Sequence, residues 1–531
     1  MPQSPPPSPV ALRPARPQRP RLPDWNGSPV SLPSGKEAWQ EIAPAPHPAA
    51  PTLLLGLGPE VVPAPLAAGP GTGPFFWLDA PQMLHWRQEH ALPLPSAVCA
   101  RPVSEAAARA LASGCRLLFY APGMRLFPRF WGPLLGDLDA ARLRTGNSAP
   151  PPNPAGPPAV ILPGDARTLL HQELCGAAGR LGLPVVPWPA RIPPAQQLAP
   201  FLRRLAELPG GRPPLFLSVN LRGLDPQGRI AHVCRALGIR LAIWFVDMPW
   251  HVLSCLRLPW WREFPLYVTD PSFLTPLREA GARRASFLPL AAAPHMWLPS
   301  SGMPPTLPPI FVGRASFPDH ARFFAAAHPA REDLAQAERL LEQAHDARSP
   351  LPHIHWWQHL LHAQGWPGMT IRRAGAGADA CSRRRRADWL AVAVRAGFEL
   401  CGDPAWAGLL PGATVLPPVD YYGSLPALYA RSEAVLNVTS LLLPHSLSQR
   451  HFDVWAAGGV LFSDPTPGLA LFPPELVGPM RLSSPDDLPA RLAALRARPD
   501  GRADLAAAWR REIRRRHTYA HRLRQILDTI D

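Results

Sequence analysis

Lysine is almost absent from this chain of 531 residues, because Lys36 is the only lysine among 54 basic side chains. The net charge of +15 is therefore carried by arginine. A basic chain can bind nucleic acid, but these arginines are scattered and are not interleaved with aromatic residues. We interpret the one dense run, Arg383 to Arg386, as a solvated surface loop. The pattern argues against a nucleic-acid partner and leaves open a phosphate-rich ligand or peripheral contact with an anionic membrane.

Long apolar runs and paired cysteines are also missing. No apolar run reaches the roughly 18 residues that a membrane-spanning helix needs. The first residues are rich in Pro, Arg and Ser and lack the apolar core of a signal peptide. The seven cysteines show neither a CxxC pair nor zinc-finger spacing. We therefore expect a cytoplasmic protein with reduced thiols, and the heavy use of Arg, Ala, Pro, Leu and Gly suggests a GC-rich genome.

Proline is abundant, with 75 residues that concentrate in a few tracts. Residues 1–48 form a Pro-rich segment that cannot bury enough apolar surface to offset its ordering entropy, so we predict disorder there. Residues 50–147 read as a small α/β unit of unknown role. Its Gly56-x-Gly58 lacks the third glycine and the helix of a dinucleotide-binding fingerprint.

Apolar strands alternate with amphipathic helices over residues 158–300 and again over residues 305–531. The run at 241–247, LAIWFVD, is continuous and apolar, as expected for a parallel strand that is covered on both faces. The alternation predicts an α/β fold with two doubly wound, Rossmann-like domains that face each other across a cleft. Ligands of such sheets bind beyond the carboxyl ends of the strands.

Four elements in the last third of the chain resemble a known family. They are GDPAW at 402–406, LYARSEAVLNVT at 428–439, QRHFDVWAAGGVLFSD at 449–464 and RRHTYAHRLRQIL at 515–527. Their order and spacing resemble group-1-like glycosyltransferases of the spore-maturation, CgeB-like type. The resemblance implies the GT-B architecture, with the donor nucleotide sugar held mainly by the second domain. It also implies transfer of the sugar to a hydroxyl of a glycan, lipid or protein, without a metal or other cofactor.

The resemblance assigns donor-binding roles around the HFDVWAAGG block. Asp453 matches an acidic residue that binds the ribose hydroxyls, and an ionised carboxylate suits a diol because it only accepts hydrogen bonds. Arg450 and Ser446 open the same helix, where backbone N–H groups and a guanidinium can bind pyrophosphate. Gly458 and Gly459 close the helix and turn the chain into the next strand.

Three further residues complete the predicted donor site. Gly313 and Arg314 end the first strand of the second domain, whose loop commonly approaches the phosphates in GT-B enzymes. Glycine permits a close backbone approach at this point, although a plain turn is an equal reading. Asn437 lies in the VLNVT strand on the donor side.

Asp247 is our candidate for the general base that deprotonates the acceptor hydroxyl, because it ends an apolar strand and would face the cleft. A helix cap or a turn is the alternative role of this residue. His251 is a weaker candidate, since a buried structural histidine is the commoner role.

One position departs from the related retaining enzymes, which carry two glutamates separated by seven residues. Counting back from Asp453, the first of these positions is His445. The departure leaves the stereochemical outcome open. It also keeps an alternative, a catalytically inactive GT-B-fold protein that binds nucleotides or acts as a scaffold.

Overall fold

A computed structural model describes residues 19–67, 73–96, 98, 100–145, 156–193, 198–208, 212–299, 304–317, 319–344, 349–364 and 368–530. The chain forms two compact units, Met1–Gly146 and Asn147–Asp531. Within the described ranges, no helix has both the length and the apolar character needed to cross a bilayer.

The first unit is built on a sheet in which four parallel strands carry an antiparallel edge strand. Its strands are β1 (Arg21–Pro23), β2 (Pro29–Ser31), β3 (Trp39–Ala43), β4 (Thr52–Leu55), β5 (Phe75–Leu78), β6 (Arg101–Pro102) and β7 (Arg116–Tyr120). Its helices are α1 (Ala64–Ala67), α2 (Pro81–Glu89), α3 (Glu105–Leu111), α4 (Pro122–Leu126) and α5 (Pro128–Thr145). The sheet order is β3-β7-β4-β5-β6, and β1 pairs with β2 in a separate hairpin.

The predicted disorder over residues 1–48 is wrong for residues 19–48, while residues 1–18 lie outside the described part of the chain. Strand β3 pairs with β7 and thereby joins the sheet of the first unit. Leu22, Val30 and Leu32 are buried in the core of this unit. A few apolar residues of this Pro-rich segment are therefore ordered because they pack into a core formed mainly by later strands and helices of the first unit.

The second unit begins with a six-stranded parallel sheet. Its strands are β8 (Val160–Pro163), β9 (Val185–Trp188), β10 (Leu215–Val219), β11 (Arg240–Phe245), β12 (Pro265–Val268) and β13 (Arg284–Phe287), in the order β13-β12-β11-β10-β8-β9. Its helices are α6 (His171–Arg180), α7 (Ala199–Ala206), α8 (Arg229–Ala236), α9 (Pro249–Leu253) and α10 (Leu274–Glu279). Strands β8, β10 and β12 are buried at every position, which explains their continuous apolar sequence.

A five-stranded parallel sheet follows in the same unit. Its strands are β14 (Ile310–Gly313), β15 (Glu399–Gly402), β16 (Val415–Leu416), β17 (Val435–Asn437) and β18 (Leu461–Ser463), in the order β16-β15-β14-β17-β18. The helices that precede β15 are α11 (His320–Phe323), α12 (Arg331–Glu342), α13 (Ile354–Leu360) and α14 (Met369–Arg395). The remaining helices are α15 (Ala405–Leu409), α16 (Leu425–Arg431), α17 (Arg450–Ala457), α18 (Pro474–Met480), α19 (Asp487–Arg496), α20 (Pro499–Arg516) and α21 (Tyr519–Thr529). The predicted α/β class with two doubly wound domains is confirmed.

Two local expectations need correction. The run Arg383 to Arg386 is not a loop but part of α14, a helix of 27 residues.

The last helix, α21, does not pack with the five-stranded parallel sheet (β14–β18), although the predicted second domain ran from 305 to 531. Its residues Tyr519, Leu523 and Ile526 pack into the core of the six-stranded sheet (β8–β13). The chain can return because α20 ends at Arg516 and a capping box at Thr518 starts a new helix. Two parallel sheets joined by a returning last helix form the GT-B architecture.

Candidate functional site

A cleft of about 310 Å³ lies between the six-stranded sheet (β8–β13) and the five-stranded parallel sheet (β14–β18) of the second unit, and both halves contribute lining side chains. Asp247 and Thr269 follow β11 and β12 of the first sheet. Arg386 comes from α14, Arg450 is the first residue of α17, and Ser446 lies in the loop just before that helix. The lining therefore gathers the carboxyl-terminal ends of parallel strands and the amino end of a helix, as expected for this fold.

Helix α17 is held in place by its apolar residues. Phe452, Val454 and Trp455 are fully buried, and the Trp455 ring stacks on Trp509 with centroids 4.8 Å apart. The helix ends at Gly458, whose φ of 87° is strained for other residues. This packing fixes the position of the amino end of α17 at the cleft.

Arg450 is anchored entirely by neutral groups. Its Nε donates to the Val312 carbonyl at 2.7 Å, and its Nη1 donates to Asn437 Oδ1 at 3.2 Å. The guanidinium lies over the Phe311 ring, 5.4 Å from its centroid. No ion pair in the described part of the chain involves Arg450. Its charge is therefore available to an anion in the cleft.

Gly313 leaves space for Arg450, and the backbone of Arg314 supports Arg386. A Cβ on Gly313 would lie 2.6 Å from Arg450 Nη2, so glycine leaves the space that the guanidinium occupies. The carbonyl of Arg314 accepts a hydrogen bond from Arg386 Nη1 at 3.0 Å. The Arg314 side chain itself is exposed.

Arg386 is the functional candidate that the sequence reading missed. Burial, and then the neighbouring charge of Arg450, lower the pKa of Arg386 to about 10, while the carboxylates of Asp379 and Asp464 act in the opposite direction. The side chain therefore stays protonated at neutral pH. Its neighbour Arg385 instead pairs with the buried Asp464 at 2.9 Å. A signal was present, because Trp389 and Leu390 follow Arg386 at spacings of three and four and are buried on the same helical face.

Asp247 reaches the cleft from the other side. The residue is exposed to the cleft, and its Oδ2 accepts a hydrogen bond from Asn220 Nδ2 at 2.7 Å. Desolvation by the surrounding protein raises the pKa of Asp247, while Arg222 and the Asn220 hydrogen bond act in the opposite direction. An oriented carboxylate with a raised pKa suits the predicted role of a base.

His251 does not line the cleft. Its ring packs edge-on against Phe323 and Phe324, with centroids 5.0 and 5.4 Å away, and Nε2 fits against Gly375 of α14. Burial, followed by the charge of Arg372, lowers the pKa of His251 to about 3, so the ring is neutral. The expectation of a catalytic role is therefore revised to one of packing.

Asp453 is committed to the junction of the two sheets rather than to the cleft. Its Oδ1 accepts from the Ala293 backbone N–H at 2.9 Å and from Gln449 Nε2 at 3.0 Å. Its Oδ2 accepts from the Tyr421 hydroxyl at 2.9 Å. The residue is only 1% exposed, and burial raises the pKa of Asp453 to about 7. A buried carboxylate with these partners is not presented to a ribose, so the predicted contact is revised.

The other predicted donor residues divide into two groups. Ser446 lines the cleft, whereas Asn437 is fully buried beneath it and positions Arg450 and Ser448 through its Oδ1. Gly458 and Gly459 lie at the opposite end of α17. A Cβ on Gly459 would come within 2.5 Å of the Tyr429 carbonyl, so this glycine serves close packing.

His445, which occupies the first position of the two-glutamate pattern, is held by its backbone. Its N–H donates to Oδ2 of the buried Asp270 at 2.8 Å. Ser272 donates to the other oxygen of Asp270 at 2.5 Å, and its Oγ lies 2.7 Å from His355 Nε2. This network joins the two sheets beside the cleft.

Residues 383–528 match a family model described as glycosyl transferase-like. No curated protein matches the chain significantly. The prediction of a glycosyltransferase is confirmed by the family match, and the matched region contains Arg386 and Arg450.

Three solved structures illustrate what the chain is similar to. The DNA-modifying β-glucosyltransferase crystallised with and without uridine diphosphoglucose is 11% identical over 71% of this chain and 100% of that chain, with a TM-score of 0.38. Anabaena Alr3699/HepE in complex with UDP and glucose is 11% identical over 70% and 98%, with a TM-score of 0.41. A glycosyltransferase from Rickettsia africae ESF-5 is 9% identical over 70% and 98%, with a TM-score of 0.38.

Proposed function

We propose that the cleft binds the diphosphate of a nucleotide-sugar donor, and that the protein transfers the sugar from there to a hydroxyl-bearing acceptor. One observation carries the proposal. Arg386 and Arg450 meet at the amino end of α17, and neither forms an ion pair with any carboxylate of the described residues. Two like charges held close together repel each other, and a diphosphate, which supplies two negative groups, would relieve that repulsion.

The donor diphosphate becomes the leaving group, so its growing negative charge is what the site must stabilise. Guanidinium forks and the first N–H groups of a helix both interact more strongly with that charge as the bond breaks. A single charge-assisted hydrogen bond contributes about 1.5–3 kcal/mol. Arg386 and Arg450 therefore supply positive charge that a bound metal would otherwise provide, and the mechanism needs no metal.

The acceptor hydroxyl approaches from the side of Asp247. Its oxygen bonds to the anomeric carbon, the bond from that carbon to the diphosphate oxygen breaks, and the hydroxyl proton passes to the Asp247 carboxylate. The Asn220 hydrogen bond at 2.7 Å keeps this carboxylate oriented toward the cleft. Because desolvation raises the pKa of Asp247, the carboxylate is a better base than a solvated aspartate.

We also propose the finer features that the sequence resemblance implies. The enzyme is of the CgeB-like, spore-maturation type, acts in a bacterial cytoplasm and uses a glycan, lipid or protein hydroxyl as its acceptor. Peripheral contact with a membrane is part of this proposal, and a nucleic-acid substrate is not.

The test is a screen of the full chain against UDP-, GDP-, ADP- and dTDP-linked sugars, with binding measured by calorimetry and turnover by release of the nucleoside diphosphate. Arg450→Gln should weaken donor binding and turnover by about 100-fold, since it removes a charged partner of the phosphates. Arg524→Gln is the matched control, because Arg524 is exposed on α21 and its substitution removes the same charge away from the cleft. If no nucleotide sugar binds the wild-type protein, the proposal is wrong. Binding without turnover would favour the inactive, scaffold alternative.

A further inference from the structure

A second and larger cavity, of about 640 Å³, lies at the other end of α17. Its wall includes Trp297 and Gly458 together with four arginines of α20, which are Arg502, Arg510, Arg511 and Arg514. None of the residues that line it is acidic. The cavity therefore has the composition of an anion site, and it is separate from the cleft described above.

Two of the four arginines, Arg502 and Arg510, are held by backbone carbonyls. Within the described ranges, no salt bridge involves any of them. Arg502 donates to the backbone carbonyls of Glu433 and Ser432 at 3.3 and 3.1 Å, and Arg510 donates to that of Leu298. Backbone carbonyls fix the positions of these side chains but do not neutralise them.

Trp297 holds two of the arginines by their faces. The guanidinium carbons of Arg510 and Arg514 lie 5.8 and 4.9 Å from the centroid of its ring. A guanidinium that stacks on an aromatic ring keeps its edge N–H groups for hydrogen bonding. Burial, followed by the like charge of Arg514, lowers the pKa of Arg510, which is the direction expected for cations that are crowded without an anion.

The surroundings balance only part of this charge. Burial lowers the pKa of Arg502 and the nearby carboxylate of Glu433 opposes this, but Glu433 forms its ion pair with Arg496. Gly458 marks the carboxyl end of α17, and a helix end of this kind carries about half a negative elementary charge. Four guanidinium groups exceed that by a wide margin. Because α17 has eight residues, its two ends are about 12 Å apart. A ligand here would therefore be distinct from the diphosphate at the amino end of the same helix.

We infer that this cavity binds a ligand with two or more phosphate groups. Arginine forks match phosphate oxygens with two parallel hydrogen bonds, and four converging arginines suit more than one phosphate. Ala430, Ala457 and Ala503 leave the space between the arginines unfilled. The phosphates belong either to a free, soluble anion or to the headgroups of an anionic lipid surface, and the experiment separates these sources.

The probe is inorganic tripolyphosphate, titrated into the full-length Arg386→Gln/Arg450→Gln protein so that binding in the cleft is weakened. Adding Arg510→Gln and Arg514→Gln should reduce tripolyphosphate affinity at least tenfold, whereas adding Arg524→Gln should change it less than twofold.

In a second experiment, cosedimentation of the protein is measured with phosphatidylcholine vesicles that contain or lack phosphatidylglycerol. Loss of binding to the anionic vesicles in the Arg510→Gln/Arg514→Gln protein assigns the phosphates to a lipid surface. Loss of tripolyphosphate binding alone assigns them to a soluble ligand.

Arg511→Gln guards against a folding artefact, because this side chain is exposed and its loss removes charge but no stacking on Trp297. It should weaken tripolyphosphate about threefold with an unchanged melting temperature. The inference is overturned if tripolyphosphate binds the Arg510→Gln/Arg514→Gln protein as tightly as the Arg524→Gln control, or binds neither. Nucleotide-sugar turnover is tested separately through Arg450, so a failure here does not bear on the proposed transferase activity.

Discussion

Helix α17 carries two ionisable side chains, Arg450 and Asp453, whose surroundings differ. On the cleft side, Arg450 is bonded only to neutral acceptors and faces a second cation, Arg386, which forms no ion pair with the described residues. On the junction side, both oxygens of Asp453 are occupied by donors from the Ala293 backbone, Gln449 and Tyr421. Both residues sit in the same short helix and both were predicted to bind the donor.

The difference separates a group that can bind a ligand from one that supports the fold. A buried charge that is fully hydrogen-bonded inside the protein has little left to offer a ligand. A held but unpaired cation lowers its energy when an anion arrives. Four experiments test this distinction.

Asp247→Asn should lower kcat by about 1000-fold while leaving donor affinity nearly unchanged, because the amide cannot accept the acceptor proton. In the wild-type enzyme, activity should fall with acid at a pH above the usual aspartate range, since the pKa of Asp247 is raised. The measurement is kcat and donor affinity across pH. Asp500→Asn, on the exposed start of α20, is the control. Equal activity of Asp247→Asn and wild type would remove Asp247 from the mechanism.

Asp453 should make the protein less stable as the pH rises. The pKa of Asp453 in the folded protein is about 7, above the usual 3.8. At low pH the carboxyl is protonated in both the folded and the unfolded chain, so it does not lower the free energy of unfolding. Between these values the unfolded chain releases its proton first, and the free energy of unfolding falls by about 4 kcal/mol at most. Asp453→Asn has nearly the same shape but cannot ionise, and it keeps one acceptor oxygen while an amide N–H replaces the other. Urea unfolding of both proteins between about pH 5 and about pH 8 checks this, and parallel curves would contradict it.

Arg385 and Arg386 should respond in opposite ways to the same substitution. Arg385→Gln leaves the buried Asp464 without its ion pair and should lower stability by about 3 kcal/mol, with little direct effect on donor affinity. Arg386→Gln should weaken donor binding about tenfold and barely change the melting temperature. Thermal unfolding and donor calorimetry on both variants give the comparison. If both variants lose mainly stability, Arg386 belongs to the fold rather than to the donor site.

Chelation should have the smallest effect. Because Arg386 and Arg450 supply the positive charge at the leaving group, EDTA should leave the transfer rate within about twofold of its starting value. The assay compares protein dialysed against EDTA with protein given Mg²⁺ or Mn²⁺. A loss of activity that either ion restores would replace the arginine account with a metal-dependent one.

The strands of the two parallel sheets could be predicted because burial on both faces demands continuous apolar runs, as in LAIWF of β11. Helix α14 could not be predicted as easily. Its first half is a stretch of small residues, and Gly375 and Gly377 fit against His251 and Trp357 from distant segments. Small residues become a helix surface only when large ones pack on them, and local sequence does not contain those partners.

The sequence alone was enough to predict the α/β class, the two domains and an anion site at the amino end of α17. These follow from periodicity and from the exposed N–H groups that any helix start presents. The tertiary structure was needed to show which of these charges form ion pairs. Arg385 and Arg386 are chemically identical neighbours, and they differ because Asp464, far along the chain, lies 2.9 Å from one of them. Charge pairing acts over a few ångströms in space, so it depends on contacts between distant segments.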